Sequence, residues 1–224
     1  MIESIALGNT QLNDIYTNTQ IDKSKISVYL KNLIELQILE REFSVLSSGK
    51  EQATSTRGLY RVTDNFFRFW FGFVFPNISD LETDDADGVF THAVLPQLNG
   101  FASPIFETVC REFIRKKNRL GELPFRVSKL GRWWGKLDSA ASEIDIVAAD
   151  AKSKQYILGE CKFRNSPMDA ADLDRLKEKS LLVKKGAAVQ YALFSKSGFT
   201  EDLTEQAKQD KTLALYGLSD LVNG

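Results

Sequence analysis

The sequence has little of the chemistry that sulfur and imidazole provide, because its 224 residues include two cysteines and one histidine. Cys110 and Cys161 lie in segments patterned as a buried helix and a buried strand, which predicts core thiols and no Cys/His metal cluster. No secretory leader accompanies them, and this favours a reducing, cytoplasmic location. The single histidine, His92, lies outside the segments with candidate site residues and is interpreted as structural.

Long hydrophobic runs are also missing. The densest apolar stretch, residues 66–75, is too short to span a bilayer and contains Arg68, so it predicts a core helix and no membrane partner. The sequence shows no internal repeat, no long low-complexity segment and no Gly-x-x-x-x-Gly-Lys-Ser/Thr motif. The lack of that motif excludes ATP binding through a P-loop in these residues.

An excess of charge of one sign is lacking as well, since 29 Lys and Arg oppose 30 Asp and Glu for a net charge of −1. This balance argues against a protein that coats nucleic acid non-specifically. The distribution is uneven: residues 111–136 hold nine basic and two acidic side chains, and residues 80–87 hold five acids. The basic segment could neutralise several phosphates, although a solvated helix face and loop is the simpler interpretation.

The length predicts two domains. Residues 1–63 predict a winged helix-turn-helix, residues 64–100 a helical linker region, and residues 101–224 a second domain. Within the linker region, Pro76 and the acidic segment after it interrupt an aromatic-rich helix capped by Asp64, so the domain boundary is expected there.

The first domain has the order helix, helix and β-wing. Asp22 is the expected N-cap of the second helix, whose inward face carries apolar residues at helical spacing: Ile26, Leu30, Leu33 and Ile34. Segments 38–46 and 58–62 alternate like strands. In a winged helix this second helix can enter a DNA major groove, with Lys25 and Lys31 as candidate contacts. Seven basic residues against seven acidic ones favour a protein-contacting or structural role instead.

The second domain changes from a helical pattern to strands. Pro104 is expected to open a helix that runs to about Lys117 with an apolar stripe. Further helices are expected over 169–184, 200–208 and 218–222. The strand candidates are 125–130, 144–149, 156–163, 188–194 and 213–216. This order predicts an α/β domain, and α+β for the whole chain, with a mostly apolar mixed sheet flanked by helices.

Charged residues interrupt two of these apolar strands. Asp145 lies in one, and Glu160 and Lys162 lie in the next, with fifteen residues from Asp145 to Glu160. Alternate side chains of a strand share a face, so Glu160 and Lys162 project together. If a turn at 150–154 makes the strands antiparallel neighbours, Asp145 comes to lie beside Glu160. Buried charges are costly unless paired or ligated, so this convergence predicts a reactive site or an ion-pair network.

These residue types suit phosphodiester chemistry with a divalent metal. Carboxylates are hard oxygen ligands that suit Mg²⁺ or Mn²⁺, and Glu107 on the preceding helix is expected to complete the metal shell with Asp145 and Glu160. Lys162 could orient or deprotonate the attacking water, or offset charge that grows on the phosphorane. Glu143 competes with Asp145 as a ligand, because period-two spacing puts both on one face.

The order helix-Glu, strand-Asp and Glu-x-Lys resembles the PD-(D/E)XK nuclease superfamily, which includes restriction-type endonucleases and archaeal Holliday-junction resolvases. Over nearly the whole chain, the sequence also resembles the C-terminal region of archaeal-type P-loop ATPases, known as domain of unknown function 234. The segments that carry this second resemblance are Phe66-Phe67-Arg68-Phe69-Trp70 after Asp64, Phe106-Glu107, Arg132-Trp133-Trp134, Glu143-Ile144-Asp145-Ile146-Val147 and Gly159-Glu160-Cys161-Lys162.

The resemblance implies that residues 101–224 form a restriction-endonuclease-like domain. It assigns catalysis to Glu107, Asp145, Glu160 and Lys162, gives the three acids to the metal, and favours Asp145 over Glu143. In that family a nucleotide-binding module precedes a winged helix and the nuclease-like domain follows. The chain is therefore expected to be a C-terminal portion of such a protein.

The expected partner is DNA, with Lys116, Lys117 and Arg132 as further contacts. Trp133 and Trp134 could stack on splayed bases, although packing on a core is the favoured interpretation. Lysines on or just after the 169–184 helix could touch phosphates or form a solvated face: Lys177, Lys179, Lys184 and Lys185. An ATPase module or another protein, and a second copy in a homodimer, stay open as partners.

Three functions follow from these observations. The first is metal-dependent hydrolysis of DNA phosphodiesters, in the manner of an endonuclease. The second is a non-catalytic DNA- or protein-binding regulatory module of an ATPase. The third is a transcriptional regulator that works through its winged helix alone.

Overall fold

The computed structural model describes residues 1–54, 58–137, 140–150, 152, 154–180 and 187–223. They form two compact units. The first contains Met1–Phe43 and Ser47–Leu98, and the second contains Ser44–Leu46 and Asn99–Gly224. Among the described residues, none of the helices combines the length and the apolar character needed to cross a membrane.

The first unit begins with a helical core and a small antiparallel sheet. Its elements are α1 (Ile2–Ala6), α2 (Leu12–Thr19), α3 (Lys23–Glu35), β1 (Leu39–Glu42), α4 (Gly49–Thr54) and β2 (Leu59–Val62). Asp22 caps α3 as predicted, since its Oδ1 accepts a hydrogen bond from the Ser24 N–H at 2.8 Å. Apolar residues of α1, α2, α3 and both strands meet in one core around Ile15 and Leu30. Helices α1 and α4 were not predicted.

The first strand is shorter than predicted. It ends at Glu42, and residues 44–46 belong to the second unit, where the Val45 N–H donates to the Arg132 carbonyl at 2.8 Å. Alternation of apolar residues continues past Glu42 in the sequence because Val45 and Leu46 pack on a different core. The hydrophobic pattern alone does not tell one core from another.

The rest of the first unit is a structural repeat with an offset of twenty residues, which the sequence did not indicate. Helix α5 (Asn65–Phe69) continues into a π-helical turn (Trp70–Val74) and a 3₁₀ turn (Phe75–Asn77) before α6 (Ile78–Glu82). Helix α7 (Ala86–Val89) likewise continues through Phe90–Val94 and Leu95–Gln97 into a long helix. Pro76 and Pro96 hold equivalent places, and few other residues are shared, so the repeat is hidden in the sequence.

The proline explains the shape of each copy. A proline inside a helix removes one backbone donor and its ring displaces the preceding turn, which π and 3₁₀ turns accommodate. In each copy an amide side chain one residue after the proline satisfies a freed carbonyl. Asn77 donates to the Phe73 carbonyl at 2.7 Å, and Gln97 donates to the Ala93 carbonyl at 3.0 Å. The acidic segment 80–87 connects the two copies and lies inside the first unit, not at its boundary.

The second unit is a five-stranded mixed sheet between helices, which confirms the predicted fold class. After α8 (Leu98–Leu120) come β3 (Lys129–Leu137), β4 (Ala140–Asp150), β5 (Gln155–Lys162), α9 (Ala170–Lys179), β6 (Ala188–Ser195), α10 (Glu201–Gln209), β7 (Leu213–Gly217) and α11 (Leu218–Asn223). The strands lie in the order β3-β4-β5-β6-β7. Strands β3, β4 and β5 pair antiparallel, and β5, β6 and β7 pair parallel.

The sheet has a hydrophobic core on each face. Helix α8 packs Phe106, Cys110, Phe113 and Ile114 on one face, with Ile146 and Cys161 of the sheet. Helices α9 and α10 pack Leu173, Leu176 and Leu203 on the other face, with Val147 and Leu158. Both faces are covered, so the central strands are apolar almost throughout and the few charged residues in them stand out.

Two predicted boundaries are wrong. The strand expected at 125–130 is β3, which begins at Lys129 and runs through the two tryptophans. Trp133 packs against the core beneath α9, in agreement with the favoured packing interpretation. Pro104 does not open its helix but lies inside α8, which begins at Leu98.

Candidate functional site

A β-bulge sets the position of the candidate site. The pairing of β3 with β4 shifts register between Gly131 and Trp133. At this shift two residues of β4, Asp145 and Ile146, lie opposite the single residue Arg132. A bulge of this kind bends a strand and re-aims its side chains, and bulges recur next to active sites. Asp145 therefore does not follow the simple alternation of the strand.

The bulge brings Asp145 beside Glu160. The ladder between β4 and β5 ends with Ile146 opposite Gly159, and one further step in the same register sets Asp145 opposite Glu160. There the Asp145 side chain takes the place of the backbone acceptor: its Oδ2 accepts the Cys161 N–H at 2.9 Å. Both residues are buried. The structure thus brings together the two acids that the sequence predicted to meet.

This neighbourhood changes the acidity of Asp145. Burial, followed by the nearby Glu160 carboxylate, raises the pKa of Asp145 from 3.8 to about 6. The Cys161 N–H and the Lys162 ammonium act in the opposite direction and limit the rise. Asp145 is ionised at neutral pH, but two like charges then lie close together in a poorly solvated place. A cation between them would relieve that repulsion.

Glu160 is held by two lysines. The Lys162 ammonium donates to Glu160 Oε1 at 2.5 Å, and the Lys179 ammonium on α9 donates to Oε2 at 3.0 Å. Burial lowers the pKa of Lys162, but the Glu160 and Asp145 carboxylates outweigh burial, so the pKa is raised above its ordinary value. Lys162 is therefore an ammonium at neutral pH. It suits the stabilisation of negative charge, and not the removal of a proton from water.

The cysteine between Glu160 and Lys162 belongs to the core. Both cysteines are free and buried. Burial raises the pKa of the Cys161 thiol well above its ordinary value, and a hydrogen bond with Cys110 adds to the rise. A thiol of this kind is a poor nucleophile, so the chemistry of the site rests on the carboxylates and the amine.

Glu107 is not where the sequence analysis expected it. It reaches the sheet from α8, whereas the lysine partners of Glu160 include Lys179 of α9 on the opposite face. Its carboxylate lies 3.3 Å from the guanidinium of Arg132 and 3.6 Å from that of Arg111. Among the described residues, no group of three or more His, Cys, Asp or Glu side chains could hold a metal ion. The predicted three-acid cluster is therefore not formed in this structure.

Arg132 departs from its predicted role for the same reason. It was a candidate DNA contact, but its side chain is buried and its guanidinium bonds to Glu143 at 3.0 Å as well as approaching Glu107. The nearby Arg111 donates to the backbone carbonyl of Asp145 at 3.4 Å. Arg132 and Glu107 thus support the bulge from the α8 side. Glu143, the competing ligand candidate, is paired with Arg132 and not with Glu160.

The other predicted DNA contacts are distributed over both units. Lys25 and Lys31 are exposed on α3 of the first unit, and Lys31 lies 3.7 Å from Glu35. Lys116 is exposed on α8. Lys117 bonds to Glu122 at 2.8 Å and lies over the Phe113 ring. Lys184 and Lys185, and part of the predicted 150–154 turn, lie outside the described residues.

Several polar residues near the site were not predicted. Asp172 of α9 is fully buried and bonds to the guanidinium groups of Arg164 and Arg175. Ser195, which pairs with Lys162 in the β5-β6 register, is also fully buried, and its hydroxyl has no hydrogen-bond partner within the described part of the chain. The only available sequence signal was periodicity, because Asp172, Arg175 and Lys179 follow a helical spacing of three and four residues.

A carboxylate pair suits a particular kind of metal site. Mg²⁺ keeps several of its waters and often uses one or two protein carboxylates together with phosphate oxygens of a substrate. Asp145 and Glu160 supply such a pair, and the pKa of Asp145 is raised first by burial and then by the Glu160 carboxylate, whose repulsion a divalent cation would offset. Glu107 is not a ligand in this arrangement. The residues present therefore fit a two-carboxylate site.

Comparison with known proteins relates this chain to a family without an assigned function. The family model for domain of unknown function 234, described as archaea bacterial proteins of unknown function, matches residues 70–178. This match confirms the resemblance to domain of unknown function 234 over a segment that includes Asp145, Glu160 and Lys162. An uncharacterized protein of Methanocaldococcus jannaschii is 31% identical over 221 residues, which are 98% of this chain and 47% of that protein. The chain spans about half the length of this relative.

Solved structures show weaker likenesses. A Vibrio cholerae protein is 13% identical with a TM-score of 0.38, over 98% of this chain and 47% of that one. Can2 from Sulfobacillus thermosulfidooxidans, in complex with cyclic tetra-adenylate, is 11% identical with a TM-score of 0.37, over 94% of this chain and 52% of that one. Likenesses at this level carry no functional inference.

Proposed function

We propose that the second unit is a metal-dependent phosphodiesterase that acts on DNA in the manner of an endonuclease, with Asp145, Glu160 and Lys162 as its catalytic residues. One observation carries the proposal: two buried carboxylates lie side by side at the end of a strand ladder, with an ammonium on the same strand. The two carboxylates repel each other, and a divalent cation held by both would offset that repulsion.

Each residue has a defined role in this proposal. Asp145 and Glu160 would hold Mg²⁺ or Mn²⁺. Once bound, such an ion polarises a phosphoryl oxygen and lowers the pKa of a bound water. Lys162, an ammonium at neutral pH, donates hydrogen bonds to the phosphoryl oxygens as negative charge develops on them. Glu107 and Arg132 keep the bulge in place from the α8 side.

Cleavage assays test the proposal directly. The chain is incubated with Mg²⁺ or Mn²⁺ and with supercoiled, linear, branched or single-stranded DNA, and products are resolved on gels. Asp145→Asn and Lys162→Gln are expected to abolish cleavage, whereas Lys208→Gln, which removes an exposed cation paired with Glu205, leaves it unchanged. Cleavage that persists in Asp145→Asn, or that never occurs in the unaltered chain, overturns the proposal.

A second function is favoured by a different observation. Both oxygens of Glu160 already accept hydrogen bonds from lysines, so the site is internally neutralised without a metal. This arrangement suits a non-catalytic regulatory module that binds DNA or an ATPase module and performs no chemistry itself. Calorimetry with Mn²⁺ separates the two functions, because a docking module has no reason to bind Mn²⁺ through Asp145. Binding that disappears in Asp145→Asn supports the enzyme.

A further inference from the structure

Charged side chains of β5, of the segment after it and of α9 form an interlocked row, which we name the charge ladder. Its six members are Glu160, Lys162, Arg164, Asp172, Arg175 and Lys179. Glu160 and Lys162 share one face of β5, and Arg164 lies two residues beyond the end of that strand. Residues 172, 175 and 179 have the spacing of one helix face. Helix α9 runs in the opposite direction to β5, so the two rows lie side by side. Lys179 therefore reaches Glu160 at one end, and Arg164 reaches Asp172 at the other.

The charge ladder has more cations than acids. Glu160 pairs with Lys162 and Lys179, and Asp172 pairs with Arg164 and Arg175, so four cations share two carboxylates. Asp145 adds a third acid at one end, beside Glu160. At the other end the Asp169 carboxylate caps α9 by accepting the Asp172 N–H at 3.1 Å, so two arginines lie beside two acids there. The arginine end is distinguished by the exposure of its cations, which exceeds that of Lys162 and Lys179.

Asp172 fixes the two arginines in place. Its Oδ2 accepts from Arg164 at 2.6 Å, and its Oδ1 accepts from Arg175 at 2.5 Å. The Asp169 N–H also donates to it, at 3.2 Å. Burial raises the pKa of Asp172, but the Asp169 N–H and the two guanidinium groups outweigh burial, so its pKa lies below the ordinary value. Asp172 is thus a buried, permanently charged anchor.

The arginine side chains themselves are accessible. The side chain of Asp172 is 0% exposed, whereas those of Arg164 and Arg175 are 38% and 58% exposed. A guanidinium carries five N–H donors. Arg164 uses Nη2 for Asp172 and for the Pro167 carbonyl, and its Nε is buried, so Nη1 is its group for a ligand. Arg175 contacts Asp172 through Nη2 and keeps donors on its other nitrogens. Guanidinium groups match the geometry of phosphate oxygens, and arginines already held in place lose little entropy on binding. The chemistry selects an anion with accessible oxygens.

We propose that Arg164 and Arg175, oriented by Asp172, bind the backbone phosphates of a nucleic acid next to the phosphate that is cleaved between Asp145 and Lys162. This inference rests on the proposed function for its substrate. Lys162 belongs both to the candidate site and to the charge ladder, two residues before Arg164 on the chain. A backbone that places one phosphate at Lys162 therefore extends toward the two arginines. Asp172 is a positioning residue, and the arginines are the contacts.

Binding without metal tests this inference separately from cleavage. A short labelled DNA duplex is titrated with the full chain carrying Asp145→Asn, over about 50 to 200 mM salt. Arg164→Gln and Arg175→Gln are each expected to weaken binding about three- to tenfold and to lower the salt dependence by about one counterion. Arg175→Lys keeps the charge, so it is expected to retain the salt dependence and lose only part of the affinity.

Lys208→Gln is the matched control. Lys208 is as exposed as Arg175 and also pairs with an acid three residues away on its helix, but it lies on α10. It is expected to bind as the parent does. Thermal unfolding of each variant checks that the fold is kept.

The possible outcomes separate the two proposals. Weaker binding in the arginine variants supports the proposed phosphate contacts, whether or not the unaltered chain cleaves DNA. If it never cleaves DNA, only the proposed function fails. Metal-dependent cleavage together with unchanged binding in both arginine variants overturns the proposed role of the two arginines and supports the proposed enzyme. A parent chain that does not bind nucleic acid at low salt also overturns that role.

Discussion

The carboxylate of Asp145 accepts the backbone N–H of Cys161 at 2.9 Å, where the backbone ladder between their strands has ended. One side-chain oxygen thus replaces a main-chain acceptor and ties the two site strands together. An amide oxygen can make the same bond, whereas an aliphatic side chain cannot. Asp145→Asn therefore removes the charge and keeps the geometry, which makes it the most informative variant of this site.

Asp145→Asn is expected to stabilise the protein at neutral pH. The folded-state pKa is about 6 against 3.8 ordinarily, so between these values the folded state binds more protons than the unfolded state and stability falls as pH rises. Above about pH 7 the ionised Asp145 costs about 1 to 3 kcal/mol, which the asparagine avoids. Urea unfolding at pH 7.5 and near pH 4 measures the difference. A variant less stable than the parent at pH 7.5 contradicts this expectation.

Metal binding is expected to depend on the same ionisation. A proton on Asp145 competes with a divalent cation, so the apparent affinity for Mn²⁺ should fall by up to about tenfold per pH unit below pH 6 and level off above it. Raising the Mn²⁺ concentration should move the midpoint to lower pH. Calorimetric titrations across this range provide the measurement. An affinity that stays constant from pH 5 to pH 8 would mean that Asp145 is not a ligand.

Glu107→Gln distinguishes a structural glutamate from a metal ligand. Loss of its charge leaves the buried Arg132 with less compensation, so the free energy of unfolding should decrease by about 1 to 3 kcal/mol. The affinity for Mn²⁺ should change by less than about twofold, because the Glu107 carboxylate is engaged by the Arg132 and Arg111 guanidinium groups. Glu205→Gln, at an exposed ion pair on α10, serves as the control for stability. A large loss of Mn²⁺ affinity with unchanged stability would restore Glu107 as a ligand.

Gly159→Ala tests how closely the site strands are packed. An added Cβ would lie 2.9 Å from the Ile146 Cβ and 3.2 Å from the Ala192 carbonyl oxygen, so the residues of the bulge would have to shift. We expect a loss of about 1 to 3 kcal/mol in stability and a weaker Mn²⁺ site beside it. Gly100→Ala in α8 is the matched control, since nothing lies within 4 Å of its added Cβ. Equal stability of the two variants would show that the strands can separate easily.

Much of the fold could be predicted from the sequence because local patterns determine it. The strands at 144–149, 156–163, 188–194 and 213–216 differ from the observed ones mainly at their ends, and Asp22 and Asp64 cap helices as expected. These elements bury continuous apolar runs or use capping side chains, which are short-range signals. β3 could not be located this way because its polar residues face partners on other elements.

The candidate site was predictable only in part. The approach of Asp145 to Glu160 followed from the expected antiparallel pairing of their strands, but the pairing of Glu107 with Arg132 depends on the placement of α8 over the sheet. Arg132 looked like a surface cation because arginines usually are exposed. The charge ladder was not predicted because its residues come from two separate segments, 160–164 and helix α9. The sequence pattern does not indicate how these two segments are oriented relative to each other.

The bulge in β4 has a further consequence for reading such strands. Before the bulge, even-numbered residues such as Ile144 face the core under α9. After the bulge, odd-numbered residues such as Val147 face that same core. Counting by twos from Glu143 therefore leads to the wrong face. A deletion or insertion of one residue here would exchange the inner and outer sides of half a strand, so the length of this segment is as constrained as its chemistry.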